Sequence, residues 1–346
     1  MSSRRSRSPR TGALALWLAC VAFVPLSAQA GRVYVSNEDG QSVTVIDTDR
    51  LEAIATIPVG KRPRGIELSP DGKRLYVALS GLPKCPPTMP DEECAKMERD
   101  LKADGVAVID TESQKLVTVL HAGSDPEQFD LSPDGKLLFV ANEDAAQASV
   151  LNVETGKVEA RIKVGEEPEG VRVSPDGRYV LVTNESDSTV SIIDTRTYKV
   201  LRHVKVGKRP RDAAFTPDGT RAFVTGEFDA SLYRIAVPEG EPVEKVVQFR
   251  KDALPMAVVL DVPRNRIYAS TGRGRTVAVV ALDTLKLIKE IEVGTRPWGI
   301  ALSRDGRRLY TANGPSNDVS VVDTEKLEVI RKIPVGRGPW GVAIDD

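Results

Sequence analysis

Seven prolines recur along the sequence, and most of them are flanked by charged or aromatic residues. These prolines are Pro63, Pro126, Pro168, Pro210, Pro255, Pro297 and Pro339. The flanking residues with useful chemistry are Arg62, Arg64, Glu127, Glu167, Glu169, Arg209, Arg211, Arg296, Trp298 and Trp340. Tryptophan often anchors a binding surface, and a carboxylate pair such as Glu167 and Glu169 suits acid–base work or calcium binding. We take these ten residues as the candidate ligand or partner site.

The usual sequence patterns of catalytic and cofactor sites are missing from the chain. Its two histidines, His121 and His203, lie in strand-like segments without a set of neighbouring metal ligands. The sequence contains no CxxCH pattern for covalent haem and no GxSxG pattern for a nucleophilic serine. We therefore expect a protein that is not an enzyme, has no catalytic residues and binds neither a metal nor a cofactor.

The spacing of the seven prolines identifies an internal repeat. Subtracting their positions gives intervals of 63, 42, 42, 45, 42 and 42 residues. The long first interval contains an insertion, Ser80–Gly105. A period of about 42 residues is typical of a repeat architecture in which each unit is one supersecondary element.

Each repeat carries the signals of four short β-strands. SPDG turns begin at residues 69, 132 and 174, and related turns, TPDG and SRDG, begin at 216 and 303. In such a turn proline presets the first corner and glycine takes the left-handed conformation. The alternating runs that follow, such as KLLFVAN and VSIIDT, are rich in β-forming residues. Four antiparallel strands per repeat predict an all-β fold, a β-propeller.

The two ends of the chain predict a closed ring. The last strand, Trp340–Asp345, opens a repeat that the chain does not finish. The residues from Gly31 onward supply three strands of a repeat without its first strand. We expect the C-terminal strand to join the N-terminal blade, so that residues 31–346 form one seven-bladed β-propeller of four-stranded blades without exposed edges.

The candidate site residues are predicted to gather on one rim of this ring. The loops that enter each innermost strand and the loops between second and third strands lie at the same end of a propeller, and here they are the variable ones. Two interpretations stay open. The charged residues either bind a partner or pair with each other across blade seams, and the two tryptophans either anchor a partner or fill space between blades.

The insertion Ser80–Gly105 falls in the second blade, on the same rim. Its second half is predicted to form a short helix after Pro90. Cys85 and Cys94, nine positions apart, are expected to form a disulfide in an exported protein, whereas a metal or redox pair would favour CxxC spacing. The insertion is either a lid or partner contact, or a tolerated excursion of a loop.

Residues 1–30 have the features of a secretory signal peptide. Four arginines precede an apolar stretch, Ala13–Leu26, and Ala28–Ala30 reads as a cleavage site. We therefore expect a periplasmic monomer without a membrane span after cleavage. Removing those arginines reduces the 48 Lys and Arg residues to 44, against 49 Asp and Glu. This excess of acidic residues argues against a nucleic-acid partner.

Several stretches resemble known propeller repeats. VLVTN and LYTAN, followed by VSVVDT-like strands and IPVG, look like the YVTN-type β-propeller repeat. The loop order, including KRPRGIELS, GSDPEQFDLSPDG and VGEEPEGVRVSPDG, resembles the β-propeller proteins associated with PQQ-dependent catabolism. That resemblance implies an exported, non-catalytic accessory protein of PQQ-dependent alcohol oxidation. It also implies an unknown protein or small-molecule partner, such as the alcohol dehydrogenase or a transport component.

Three functions remain for comparison with the structure. The first is a binding or scaffold propeller that serves PQQ-dependent alcohol oxidation. The second is a hydrolase of the lactonase-like propeller type, which the missing catalytic patterns disfavour. The third is a surface or adhesive propeller, for which the signal peptide is neutral.

Overall fold

The computed structural model describes residues 31–84, 89–94 and 96–346, which form seven four-stranded antiparallel sheets arranged as a β-propeller. This confirms the predicted fold. The predicted signal peptide lies outside the described residues. Within the described ranges, no helix has the length and apolar character needed to span a membrane.

The first three sheets, blades 1 to 3, run from the inner strand outward. Blade 1 consists of β28 (Pro339–Asp345), β1 (Arg32–Asn37), β2 (Ser42–Asp47) and β3 (Glu52–Pro58). Blade 2 consists of β4 (Ile66–Leu68), β5 (Arg74–Leu79), β6 (Gly105–Asp110) and β7 (Lys115–Leu120). Blade 3 consists of β8 (Pro126–Leu131), β9 (Leu137–Asn142), β10 (Gln147–Asn152) and β11 (Val158–Lys163). A short helix, α1 (Asp91–Cys94), lies between β5 and β6.

The remaining four sheets, blades 4 to 7, repeat the same order. Blade 4 consists of β12 (Pro168–Val173), β13 (Tyr179–Asn184), β14 (Thr189–Asp194) and β15 (Lys199–Lys205). Blade 5 consists of β16 (Pro210–Phe215), β17 (Arg221–Gly226), β18 (Ser231–Ala236) and β19 (Val243–Gln248). Blade 6 consists of β20 (Pro255–Asp261), β21 (Arg266–Thr271), β22 (Thr276–Ala281) and β23 (Leu287–Glu292). Blade 7 consists of β24 (Pro297–Leu302), β25 (Arg308–Asn313), β26 (Asp318–Asp323) and β27 (Glu328–Pro334).

The ring closes in blade 1, where β28 pairs antiparallel with β1. The register places Val33 opposite Ile344 and Val35 opposite Val342. The first and last described segments therefore share one sheet, as the unfinished repeat predicts. Closure pairs the edge that β1 would otherwise expose to solvent.

The hydrophobic core lies at the seams between blades. Between blades 1 and 2, for example, Tyr34 and Val45 pack with Leu75 and Ile109, all four fully buried. Corresponding clusters occupy the other seams. Because the two middle strands of a blade are buried on both faces, their sequences are almost continuously apolar.

In blades 2, 3, 4, 5 and 7 the SPDG-type turns form the tight corner between the inner strand and its neighbour. In blade 2 the Ser69 hydroxyl donates to the Asp71 carboxylate at 2.6 Å, and this bond contributes most to a lowered pKa of Asp71. The same carboxylate accepts the Lys73 backbone N–H. Gly72 has φ +69°, in the region that favours glycine. The recurring Ser, Asp and Gly thus serve the turn itself.

Candidate functional site

A β-bulge at the start of the inner strands positions the residues that follow the recurring prolines. In blade 3, Pro126 pairs with Asn142 but Phe129 pairs with Val140, so that two residues oppose one. The same shift occurs in blades 1, 4, 5, 6 and 7. Bulges re-aim side chains and are frequent beside active sites. In these six blades the residue after the proline lies within the bulge.

The residue before each proline has a left-handed backbone. Arg62, Arg209 and Arg296 have φ values of 42°, 54° and 51°. Only in blade 1 is this position a glycine, Gly338, with φ +64°. Non-glycine residues adopt this conformation at an energetic cost, so the arginines occupy positions where backbone preference alone favours glycine.

A second set of site residues follows the recurring asparagines that end the second strands. The Asn142 side chain donates to the Ser149 hydroxyl at 2.8 Å, and Asn184 donates to Ser191 at 2.9 Å. These bonds hold the loops that carry the next residue. That residue is acidic in four blades, at Glu38, Glu143, Glu185 and Glu227. These four glutamates are not among the sequence-predicted site residues; the repeated Asn-Glu pair could have revealed three of them, whereas Glu227 follows Gly226.

The two sets of loops surround a cavity of about 970 Å³ at one end of the propeller axis, which we call the funnel. Nine of the ten candidate residues line it, namely Arg62, Arg64, Glu127, Glu169, Arg209, Arg211, Arg296, Trp298 and Trp340. Glu167 is not among its lining residues; it accepts a hydrogen bond from the Ser186 hydroxyl at 2.5 Å. Glu38, Glu143 and Glu185 also line the funnel.

Arg64 is the centre of a buried cluster of carboxylates. Its side chain is 3% exposed and pairs with Asp125 at 2.5 Å, with Glu127 and, at 3.7 Å, with Glu143. Burial would raise the pKa of Asp125, but Arg64 and the Ser80 hydroxyl bring it below its usual range. The Arg64 guanidinium is therefore the shared cationic partner of three carboxylates.

Arg211 forms a similar cluster on the opposite side of the funnel. Its side chain is 7% exposed and lies 3.1 Å from Glu169 and 3.7 Å from Glu227, and it also pairs with Glu185. Arg209 approaches the same group, with its Nε 2.6 Å from Glu185. The second cluster thus joins residues of blades 4 and 5.

The predicted pairing of charges across blade seams is present in part. Arg64 pairs across its seam with Asp125 and Glu127, and Arg211 pairs with Glu169. Arg62 instead contacts Glu38 at 2.9 Å, a glutamate that the proline pattern does not include. Because these pairs are desolvated, breaking one costs more than breaking a surface pair.

Glu143 combines burial with neighbouring negative charge. Desolvation and the carboxylate of Glu169 raise the pKa of Glu143 to about 8, against the opposing effect of Arg64. Its side chain is 27% exposed and faces the funnel. At neutral pH it therefore holds a proton in a cavity that a ligand can enter, which is the property of a general acid.

The two tryptophans stack on each other at the mouth of the axial channel. Their ring centroids are 5.6 Å apart with an interplanar angle of 22°. The guanidinium of Arg296 lies 4.7 Å from the Trp298 ring, and that of Arg211 lies 5.1 Å from it. Trp340 is 6% exposed and Trp298 is half-buried, and both rings line the funnel. The stack spans the seam between blades 7 and 1, and an anchoring role for either tryptophan stays a prediction.

Described parts of the insertion form one wall of the funnel. Gly81, Leu82, Pro83 and Lys84 line it, and Lys84 pairs with Glu38 at 2.8 Å and Asp39 at 2.9 Å. Lys61 pairs with Asp100 at 2.8 Å. The predicted Cys85–Cys94 disulfide lies outside the residues whose placement is described.

A second cavity of about 430 Å³ shares Trp340 with the funnel. Glu67, Asp130 and Arg172 line one side of it. Burial and the neighbouring Asp130 raise the pKa of Glu67 well above its usual range. The Asp130 carboxylate accepts the Val173 backbone N–H at 2.6 Å, which ties blade 3 to blade 4. This cluster joins inner strands rather than facing the funnel.

Comparison with protein families gives one match over most of the chain. A family described as "Lactonase, 7-bladed beta-propeller" matches residues 21–164 and 195–334. The "Cytochrome D1 heme domain" family matches residues 97–233. Antigen Lp49 of Leptospira interrogans is 33% identical over 111 residues, which is 32% of this chain and 23% of that protein.

Solved structures share the propeller fold at low sequence identity. Hydrazine synthase of Kuenenia stuttgartiensis is 21% identical with a TM-score of 0.71, covering 84% of this chain and 92% of that chain. A candidate 6-phosphogluconolactonase of Bacteroides fragilis is 17% identical with a TM-score of 0.73, covering 93% and 99%. At these identities the likeness shows the fold alone.

The prediction that the protein is not an enzyme is wrong. The family matched over more than half of the chain is one of lactonase propellers. The sequence-based reasoning looked for catalytic residues at short, fixed spacing. In the folded chain the carboxylates of the funnel come from different blades, so their proximity is not visible as a motif.

Proposed function

The chain belongs to the lactonase family of seven-bladed β-propellers, and from that premise we propose that it hydrolyses a lactone in the funnel. The observation that carries the proposal is Glu143, a funnel carboxyl whose pKa is raised to about 8. Opening a cyclic ester requires a proton donor for the departing alkoxide. Glu143 provides that proton at neutral pH.

The reaction needs a base as well as an acid. Water attacks the lactone carbonyl carbon while the Glu169 carboxylate accepts a proton from that water. The ring C–O bond then breaks, Glu143 protonates the leaving oxygen, and the product is an open hydroxy acid. The surrounding guanidinium groups place positive charge where the carbonyl oxygen becomes negative. Proton transfer from Glu169 back to Glu143 restores the starting state.

The proposal includes export to the periplasm and a link to PQQ-dependent alcohol oxidation. The resemblance of the loops to the PQQ-associated propellers supports that context. Oxidation of a cyclic hemiacetal transfers two electrons and two protons to a quinone and leaves a lactone. A lactone hydrolase would consume that product. Recovery of the protein from the cytosolic rather than the periplasmic fraction would contradict the proposed location.

The test is hydrolysis of a panel of γ- and δ-lactones, with the rate measured as proton release at constant pH. We expect Glu143→Gln to lower kcat by about 10²-fold or more, because removing a positioned general acid typically costs that much. In the wild type, the rate should fall as pH rises above the pKa of Glu143, about 8. The variant should lose this alkaline limb.

Glu167→Gln is the matched control, because Glu167 lies two positions from Glu169 in sequence but does not line the funnel. Its kcat should stay within about twofold of wild type. Absence of hydrolysis across the panel, or equal loss in both variants, would sink the proposed reaction.

A further inference from the structure

One sector of the funnel differs from the rest in presenting an aromatic and aliphatic surface. On blades 7 and 1 its apolar lining consists of Trp298, Gly314, Pro315, Pro339 and Trp340, and the cations beside it are Arg296 and Arg337. Elsewhere the funnel is lined by ion-paired arginines and glutamates. This sector thus offers a ligand an aromatic and aliphatic surface beside cationic side chains.

Gly314 leaves the edge of an indole uncovered. It occupies the position that is Glu38, Glu143, Glu185 or Glu227 in four other blades. A Cβ atom at Gly314 would lie 3.5 Å from both Cδ1 and Nε1 of Trp298, an ordinary contact distance. A side chain would therefore fit there and cover the ring edge. Glycine keeps that edge open to the funnel.

Arg296 and Arg337 are the cations of this sector, and Arg337 donates to the backbone carbonyl of Asp39 at 3.0 Å. Among the described residues, none of the carboxylates forms an ion pair with Arg296, whereas Arg62, Arg64, Arg209 and Arg211 all have carboxylate partners. Desolvation in the funnel and the neighbouring Arg211 lower the pKa of Arg296. Its guanidinium lies 4.7 Å from the Trp298 ring. An anion bound here would supply the charge that Arg296 lacks.

We propose that this sector binds the flat, unsaturated part of an anionic substrate, with the anionic group on Arg296 and the planar part along Trp298 beside Gly314. This inference deepens the proposed function, because it names an aromatic or conjugated lactone carboxylate as the substrate class. Aromatic groups stack favourably on indole and on guanidinium planes. A polyhydroxylated ring would lose water from its hydroxyl groups here without gaining partners in return.

The test is isothermal titration of the full-length protein with three non-hydrolysable probes. These are 2-naphthoate, which is flat and anionic, cyclohexanecarboxylate, which is anionic but not flat, and 2-naphthalenemethanol, which is flat but uncharged. We expect 2-naphthoate to bind at least about tenfold more tightly than either other probe, since each lacks one of the two interactions. Equal binding of 2-naphthoate and cyclohexanecarboxylate would overturn the proposal.

Variants separate the two parts of the subsite. Gly314→Val should weaken 2-naphthoate binding at least about tenfold by covering the Trp298 edge, and Gly314→Ala should weaken it less. Arg296→Gln should weaken 2-naphthoate binding about tenfold but leave 2-naphthalenemethanol binding within about twofold. Ala53→Val and Arg331→Gln, exposed on the outer strands β3 and β27, make the same kinds of change far from the funnel and should have no effect. Wild-type affinity in both the Gly314→Val and Arg296→Gln variants would refute the subsite.

The outcome is distinguishable from that of the proposed reaction. Tight 2-naphthoate binding that Gly314→Val removes, together with no lactone hydrolysis, would support the subsite and sink the hydrolase. Hydrolysis of glucono-δ-lactone in preference to 3,4-dihydrocoumarin-6-carboxylate, unchanged by Gly314→Val, would support the hydrolase and sink the subsite.

Discussion

The two arginine clusters show how single residues acquire unusual chemistry in this protein. Arg64 and Arg211 each contact three carboxylates. A buried cluster with more carboxylates than cations is more stable when one carboxyl keeps its proton. Glu143 keeps that proton because burial is the largest cause of its raised pKa, and the negative charge of Glu169 raises that pKa further. The excess of carboxylates over cations thus keeps a proton on Glu143, and Glu143 can transfer that proton to a ligand.

The raised pKa of Glu143 predicts how its removal changes stability with pH. In the folded chain its pKa is about 8, against an ordinary value of 4.5 for a glutamate. The folded state therefore binds more protons than the unfolded state between these values, and stability falls as pH rises through this window. Glu143→Gln removes the penalty, so Tm above pH 8 should exceed that of wild type by about 2–4 °C for each kcal/mol relieved. Below pH 4.5 the two proteins should have similar Tm values.

Thermal unfolding at a series of pH values checks this prediction. Glu52→Gln, at an exposed position on β3, is the control for loss of one acidic group and should show no such pH-dependent gain. A Glu143→Gln protein that is less stable than wild type at pH 9 would show that Glu143 is charged and paired in the folded state.

At the scale of elements, the recurring turn depends on a backbone conformation rather than on tertiary contacts. Gly219 in the turn of blade 5 has φ +69°, and the nearest atom to a Cβ placed there would be Pro175 Cδ at 3.7 Å. Space is therefore available, and the backbone conformation alone resists a side chain. Gly219→Ala should lower the free energy of unfolding by about 1–2 kcal/mol, the cost of the left-handed region for an L-residue.

Urea denaturation measures that change. Gly314→Ala is a suitable comparison, since its Cβ would also make only ordinary contacts and its φ lies outside the left-handed region. The Gly219 variant should be the less stable of the two. If both lose equal stability, backbone strain at the turn is not the cause.

A second recurring feature is a β-bulge in the outer strand of every blade. The register between the third and fourth strands shifts by one residue in all seven blades. In blade 1, for example, Ile54 is left without a partner because Val45 pairs with Ala55 and Ile46 with Ala53. Bulges twist an edge strand and discourage pairing with another chain. The outer wall therefore keeps exposed apolar side chains such as Ile54 and Val117 without presenting a regular edge.

For the whole molecule, closure is the step that makes seven weakly connected blades into one ring. Each hydrophobic cluster joins only neighbouring blades, so an open array would leave two apolar faces exposed. The β28–β1 pairing covers both faces and brings Gly31 against Asp345 and Asp346.

Truncation before Gly336 should therefore cause loss of the cooperative thermal transition and aggregation, because it removes β28 and exposes the edge of β1. Circular dichroism and light scattering measure both effects. A circular permutant that joins residue 346 to residue 31 by a short linker, and opens the chain in the turn at residues 283–286, should fold and melt close to wild type. A truncated chain that melts like wild type would show that the ring does not depend on this pairing.

The blade count and the closing strand could be predicted because the information is local and repeated. Each SPDG turn, alternating strand and proline loop specifies its own hairpin, and the period of about 42 residues carries that pattern around the ring. The candidate rim could be predicted for the same reason, since equivalent positions in equivalent repeats lie at the same end of a propeller. Nine residues chosen in this way do line one cavity.

The sequence by itself determined the hairpins, their number and the residues presented at the funnel. Only the tertiary structure decided which charges pair, which funnel arginines lack a carboxylate partner among the described residues and which glutamate holds a proton. Arg64 meets Asp125 from 61 positions away, and Glu143 responds to Glu169 across a blade seam. Electrostatic energies depend on distance and burial in the folded chain, and neither is specified by spacing along the sequence.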